Sequence, residues 1–185
     1  GSALVGLHYE PLFRWTKPRG DAYRVIPADF VTTEDGTGIV HIAPTFGADD
    51  ARVAKEQGIV GMELKALDDD IAPMVDRKGR FYRIEELAPD YVEEYVYRDK
   101  YAKWSGRYVK AGYTTAEDPM GGELDVDLCV DLKQRGLAFK IEKHKHSYPH
   151  CWRTDKPVLY YPLDSWFIRT TAFRDRLLAL NETID

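Results

Sequence analysis

The amino-acid sequence predicts an α+β fold, rich in β-structure with helices at its periphery. Three observations lead there. Apolar and polar residues alternate along the first forty positions, two later stretches space apolar residues at helical intervals, and Gly- and Pro-containing turns separate them.

Tyr23-Arg24-Val25-Ile26 and Phe30-Val31-Thr32-Thr33 read as strands, with Pro11, Pro18 and Pro27 as breaks. Asp35-Gly36 divides the second of these from Gly38-Ile39-Val40-His41-Ile42, a hairpin signal because both turn residues tolerate positive φ. Pro44 ends that strand. The run from Asp49 to Gly58 has an acidic start and a terminal glycine, as a short helix requires. Residues 61–82 are turn-rich and predict irregular structure or short hairpins, with Asp68-Asp69-Asp70 as a solvated loop. Leu87, Tyr91, Val92, Tyr95 and Val96 space out a helix over residues 84–98 in spite of Pro89. Leu124, Leu128 and Leu132 form a cleaner stripe that stops at Gly136. Residues 137–144 return to strand alternation, and residues 165–180 close with another helical pattern. There is no internal repeat or low-complexity tract.

The composition is that of a folded domain, with 44% hydrophobic and 31% charged residues among 185. A net charge of -5 gives no global footprint for wrapping nucleic acid, so any such contact must be local. No apolar run approaches the ~20 residues that span a bilayer, and no signal-peptide pattern is present. Membrane partners are therefore not expected. With only Cys129 and Cys151, a reducing, cytoplasmic setting fits better than a disulfide framework. The start at Gly1 without Met, and the stop directly after a helical pattern, read as an excised piece of a longer chain.

Chemistry concentrates between residues 36 and 50, where three glycines, His41, Asp49 and Asp50 fall close together. A strand ending at Pro44 and a helix starting near Asp49 would frame a pocket, with His41 on one wall and a carboxylate near the helix N-terminus. A carboxylate placed there can hold an ammonium group through charge-assisted hydrogen bonds. Each residue also has a plainer role. An Asp at a helix start commonly caps it, and a strand histidine is more often a hydrogen-bonded core residue than a catalyst. Two adjacent Asp residues allow one to cap while the other binds.

A second cluster, His144-Lys145-His146-Ser147-Tyr148-Pro149-His150-Cys151-Trp152-Arg153, holds three of the five histidines. A Cys-x-x-Cys zinc pair would need cysteine where Thr154 stands, so no metal site is expected. No complete dinucleotide or phosphate-loop glycine motif occurs, and no Ser or Cys sits in a nucleophile motif. Hydrolysis here would rely on a positioned water.

The run from Gly36 to Pro44, continuing to Asp49-Asp50, resembles the signature of the editing domain inserted in class I synthetases for isoleucine, valine and leucine. The stretch from Ser147 to Arg153, followed by Ser165-Trp166-Phe167, is similar to isoleucyl-tRNA synthetases where the chain leaves that insertion for the catalytic core. His at position 41 points to the isoleucyl branch, since valyl enzymes typically carry Lys there and leucyl enzymes Met.

The resemblance implies a β-barrel-like editing domain over residues 1–150 and a return segment over 151–185. Asp50 would bind the α-ammonium of a misattached amino acid, and His41 would line a pocket that admits valine and excludes isoleucine. Gly38 and Asp49 would complete the amino-acid site. Trp152, Lys145 and Arg153 would meet tRNA. The implied reaction is hydrolysis of valyl-tRNA(Ile), needed because a synthetic site rejects a side chain one methylene smaller only weakly; isoleucyl enzymes are the usual illustration of that limit. No cofactor belongs to this domain, ATP and Mg²⁺ being used by the catalytic core of the longer enzyme.

The family's threonine-rich editing segment is expected upstream of Gly1, so the chain is expected to carry half of an editing site and to hydrolyse weakly on its own. Rival readings are a passive module docking the tRNA 3′ end through Tyr148, Trp152 and Trp166, or an editing domain of a valyl or leucyl enzyme.

Overall fold

The computed structural model describes residues 1–34, 36–61, 63–67, 71–115, 123–143, 145–163 and 165–184. Asp35 of the expected hairpin turn, the run Asp68-Asp69-Asp70 and His144 lie outside the described residues. Among those described, helices α1 (Ala48–Glu56), α2 (Pro89–Tyr95), α3 (Arg98–Tyr101), α4 (Leu124–Gln134) and α5 (Arg174–Asn181) accompany strands β1 (Glu63–Lys65) and β2 (Ile71–Pro73). The α+β class is thus observed, while the regular sheet is one antiparallel pair with Leu64 opposite Ala72.

The core joins the turn-rich stretch to the helix that follows it. Leu64, Val75, Phe81, Leu87, Tyr91, Val92, Tyr101 and Trp104 form its centre, all of them within residues 61–104. Short bridges build a strip rather than long strands. Ala66 pairs with Leu87, β1 with β2, Val75 with Phe81 and Arg80 with Tyr108. Apart from the three-residue β1–β2 pair each step is a single residue pair, and Gly79 and Gly106, both at positive φ, turn the chain beside the Val75–Phe81 and Arg80–Tyr108 pairs. Burial compensates for the short ladders. Leu64 and Leu87 are each 1% exposed, and a fully buried side chain of this size contributes about 1.5–3 kcal/mol.

Trp15 joins the N-terminal stretch to this centre. Its ring lies 5.2 Å from Phe81 and 5.8 Å from Trp104, and the amide of Tyr97 donates to its carbonyl at 2.9 Å. Beneath the strip, Arg80 donates to Asp76 at 3.0 Å and to Glu86 at 2.8 Å, with Asp76 also accepting the amides of Lys78 and Arg80. Burial opposes the Arg80 charge, but these two carboxylates outweigh it and raise its pKa further.

The helices follow the sequence in kind and differ in extent. Helix α1 is capped by Gln57, with Gly58 at φ +67° and the Ile59 amide bonded to the Ala54 carbonyl, a left-handed stop. Helix α4 stops before Gly136 in the same way. The helix expected over 84–98 is instead a 3-10 turn (Ile84–Glu86) followed by α2. Pro89 does not interrupt α2 but starts it, at the first turn where its missing N–H costs nothing. The strand expectations are overturned, and residues 23–26 make only an isolated bridge between Arg24 and His8. Among the described residues, 30–42 and 137–143 form no strand, and Ile39, Phe139 and Ile141 are exposed at 60%, 102% and 50%. Alternation marks which face of a strand would be buried, not what lies opposite it. Without a paired neighbour, these stretches stay irregular. No described helix is long and apolar enough to cross a membrane.

Candidate functional site

Residues 36–50 form a sequence of tight turns leading into α1. Gly36 and Gly38 sit at φ +80° and +74°, and the Thr37 hydroxyl accepts the Ile39 amide at 3.3 Å. A side chain at Gly38 would meet Thr33 Cγ2 at 2.8 Å, so Gly38 is needed both for its φ and for this close approach. The chain then folds back at residues 43–47, where the amides of Phe46 and Gly47 both donate to the Ala43 carbonyl.

Asp50 closes that loop. Its Oδ2 accepts the Ala43 amide at 2.8 Å, and the carboxylate lies so near Gly47 that a Cβ there would stand 2.6 Å from Oδ2. Asp50 is half-buried, and its Oδ1 has no hydrogen-bond partner among the described residues. Neither Asp caps α1, in contrast to the expectation. The N-cap is Gly47 with no side-chain bond, because Asp50, the third residue of the helix, reaches back past Gly47 to Ala43. Asp49 points away into solvent, 3.9 Å from an Arg52 that is already bonded to Asp29 at 2.7 Å. Arg52 lowers the Asp29 pKa by hydrogen bonding, whereas Asp49 is a marginal partner. The structure thus separates the two adjacent carboxylates, one holding a loop and one facing water.

His41 is exposed, with no hydrogen-bond partner among the described residues, so it is not a core histidine. The loop reaches the C-terminal stretch through Phe46, whose ring lies 6.2 Å from Tyr161. Tyr161 in turn donates to the Val75 carbonyl, and Leu159 packs against the core.

In the second cluster, Trp152 is 87% exposed, with the Arg153 guanidinium 4.7 Å above its ring. Trp166 is fully exposed, and Lys145 also faces solvent. Tyr148 is half-buried; its hydroxyl donates to the Val158 carbonyl, and Lys110 lies over its ring at 5.0 Å. The Cys151 thiol is lowered below its ordinary pKa by the Thr154 hydroxyl and then by the amides of Arg153 and Thr154. Thr154 therefore acts as a hydrogen-bond partner where a second cysteine would complete a metal pair. No group of metal-holding side chains occurs among the described residues.

The sequence reading missed an open groove of about 470 Å³ lined by Arg77, Lys78, Tyr113, Lys156, Pro157 and Tyr161. Its signal was present in Asp76-Arg77-Lys78-Gly79, a turn sequence with two cations at its tip. A smaller hollow of about 340 Å³ lies beside α1, with Thr45, Lys55 and Glu63 on its rim.

No family model matches the chain. Over its whole length it is 55% identical to the isoleucine–tRNA ligase of Bacteroides fragilis and 53% identical to that of Porphyromonas gingivalis. It is 38% identical to the isoleucine–tRNA ligase of Clostridium acetobutylicum. The chain spans 16% of the length of the first two relatives and 14% of the third. Identity of this order across every element described above shows common ancestry, and the chain belongs to the isoleucine–tRNA ligase family, matching one stretch of its members.

Proposed function

We propose that this chain is the editing portion of an isoleucine–tRNA ligase, hydrolysing valine from tRNA(Ile). The observation that carries the reading is the Asp50 carboxylate, held to the Ala43 amide through Oδ2 while Oδ1 has no partner among the described residues. A carboxylate oriented by one backbone bond, with its second oxygen open, suits an ammonium group at little cost in reorganisation. His41, on the turn before Asp50, lines the side-chain pocket. Gly38 shapes the turn and Asp49 faces the solvent edge.

With the amino group anchored, water attacks the ester carbonyl, and positioning rather than a protein nucleophile lowers the barrier. The barrel-like arrangement and the division into residues 1–150 and 151–185 belong to the same proposal. So do the setting in the cytoplasm and the use of ATP and Mg²⁺ elsewhere in the ligase. The test is Asp50→Ala in an isoleucine–tRNA ligase carrying this sequence. Hydrolysis of valyl-tRNA(Ile) is expected to fall at least about a hundredfold, the scale on which lost positioning acts, with isoleucine activation unchanged. Normal hydrolysis by the variant would overturn the assignment.

A second reading, passive docking of the tRNA 3′ end, draws support from Trp152, exposed and stacked under Arg153 with Lys145 on the same stretch. It predicts that Trp152→Ala weakens tRNA binding while Asp50→Ala leaves hydrolysis intact.

A further inference from the structure

The groove of about 470 Å³ has two walls, each ending in a rigid turn that carries basic residues. On one wall, the Gly79 amide donates to the Asp76 carbonyl while the Asp76 carboxylate accepts the amides of Lys78 and Arg80. Gly79, at φ +75°, lies so close to Tyr113 that a Cβ would stand 2.5 Å from the ring. The turn is thereby seated on the Tyr113 ring with Arg77 and Lys78 at its tip. On the other wall, the Cys151 amide donates to the Lys156 carbonyl, the Asp155 amide to the Cys151 carbonyl, and Asp155 takes a left-handed φ of 53°. The two walls are tied by the Tyr113 hydroxyl, which donates to the Pro157 carbonyl at 2.9 Å, and by the Tyr161 hydroxyl on Val75.

Arg77, Lys78 and Lys156 have no carboxylate partner among the described residues, and Asp76 beneath them is already held by Arg80. Three cations without a carboxylate partner among the described residues, lining one groove with three tyrosines in a chain of net charge -5, call for an anion. Cations supplied by two separate segments suit successive phosphates of a strand.

We infer that this groove holds a stretch of RNA backbone, with Arg77 and Lys78 on one side of the strand and Lys156 on the other. The inference rests on the reading that the chain meets tRNA. It adds the Arg77–Lys78 turn, facing Lys156 at the end of the turn that carries Trp152 and Arg153. Tyr108, Tyr113 and Tyr161 form the floor, so recognition is of charge and shape rather than of base sequence.

The test measures binding of a fluorescein-labelled single-stranded oligoribonucleotide to the 185-residue chain by anisotropy across a salt series. The triple variant Arg77→Gln, Lys78→Gln and Lys156→Gln is expected to bind about tenfold more weakly or worse. Its slope of log affinity against log salt should be smaller by about two, since each contact to a single strand contributes ~0.7. Lys133→Glu, on the exposed face of α4, is the charge control. Ultraviolet cross-linking of a 4-thiouridine oligonucleotide to the unaltered chain provides a readout independent of any variant, with adducts expected within residues 108–115 or 156–163.

Equal losses in the triple variant and the control, or adducts confined to other segments, would overturn the inference. So would displacement of the RNA by polyglutamate as readily as by unlabelled RNA, which would assign the groove to an acidic protein surface. RNA that avoids the groove while hydrolysis still depends on Asp50 rejects this inference alone; groove binding with hydrolysis independent of Asp50 rejects the editing reading alone.

Discussion

Replacing Gly79 by Ala tests how the Arg77–Lys78 turn is held. Gly79 is at φ +75°, and an added Cβ would stand 2.5 and 2.7 Å from two atoms of the Tyr113 ring. Gly136, at φ +69°, has nothing within 4 Å. Both substitutions force an L-residue into left-handed backbone, at about 1–2 kcal/mol, partly offset by ~0.4–1 kcal/mol of lost freedom in the unfolded chain. Only Gly79→Ala also displaces Tyr113, which endangers the hydroxyl bond to the Pro157 carbonyl, worth about 0.5–1.5 kcal/mol, and the ring packing with it. The expected losses are about 1 kcal/mol for Gly136→Ala and about 2–3 kcal/mol for Gly79→Ala. For a chain of this size the latter corresponds to a Tm lower by roughly 5–10 °C. Urea denaturation followed by tryptophan fluorescence, with an unchanged m-value, measures both. Equal destabilisation by the two substitutions would refute the claim that the Tyr113 ring seats the turn.

Arg80→Met leaves the Asp76 carboxylate buried without its partner, and a loss of about 3–5 kcal/mol in chemical denaturation is expected; a loss below 1 kcal/mol would show that the network contributes little. Tyr101, fully buried with its hydroxyl on the Tyr82 carbonyl, has its pKa raised by burial above the ordinary value of 10.0, with Glu86 adding to the effect. Because the folded state keeps the proton that the unfolded state releases, stability should be intact below pH 10 and fall as pH rises above it. Tyr101→Phe should remove part of that decline, Tyr91 and Tyr161 being raised in the same direction, while costing about 1 kcal/mol at neutral pH; an unchanged alkaline profile would contradict this.

What the sequence showed of the fold followed from signals that need no partner. Helix α1 was legible because the acidic start and Gly58 act within the helix itself, and α4 because its leucine stripe and Gly136 do the same. Strands are different. The alternation of residues 30–42 was real as a pattern, but a strand exists only when another segment bonds to it, and no described segment does. The apolar stripe of α2 was legible, but the rest of the core over residues 61–104 was not. Its bridges are single residue pairs and its one ladder three residues long, too short for periodicity, and its order comes from Trp15, Phe81, Tyr101 and Trp104 meeting across the chain.

The candidate residues could be named from the sequence, but not the bonds they make in the fold. His41 and Asp50 stand in the Gly-Thr-Gly signature, yet the sequence did not indicate that Asp50 would spend one oxygen on Ala43 or that Gly47 would cap the helix. The exposure of Trp152 and the convergence of Arg77, Lys78 and Lys156 depend on turns that bring distant segments together, and spacing alone does not encode that.

The most direct measurement is a crystal structure of an isoleucine–tRNA ligase carrying this sequence, bound to a non-hydrolysable valyl-adenosine analogue. The analogue's ammonium is expected at about 3 Å from Asp50 Oδ1, with the Ala43 amide still on Oδ2 and His41 beside the valine side chain. An ammonium directed to solvent, or held by other groups with Asp50 Oδ1 left open, would contradict it.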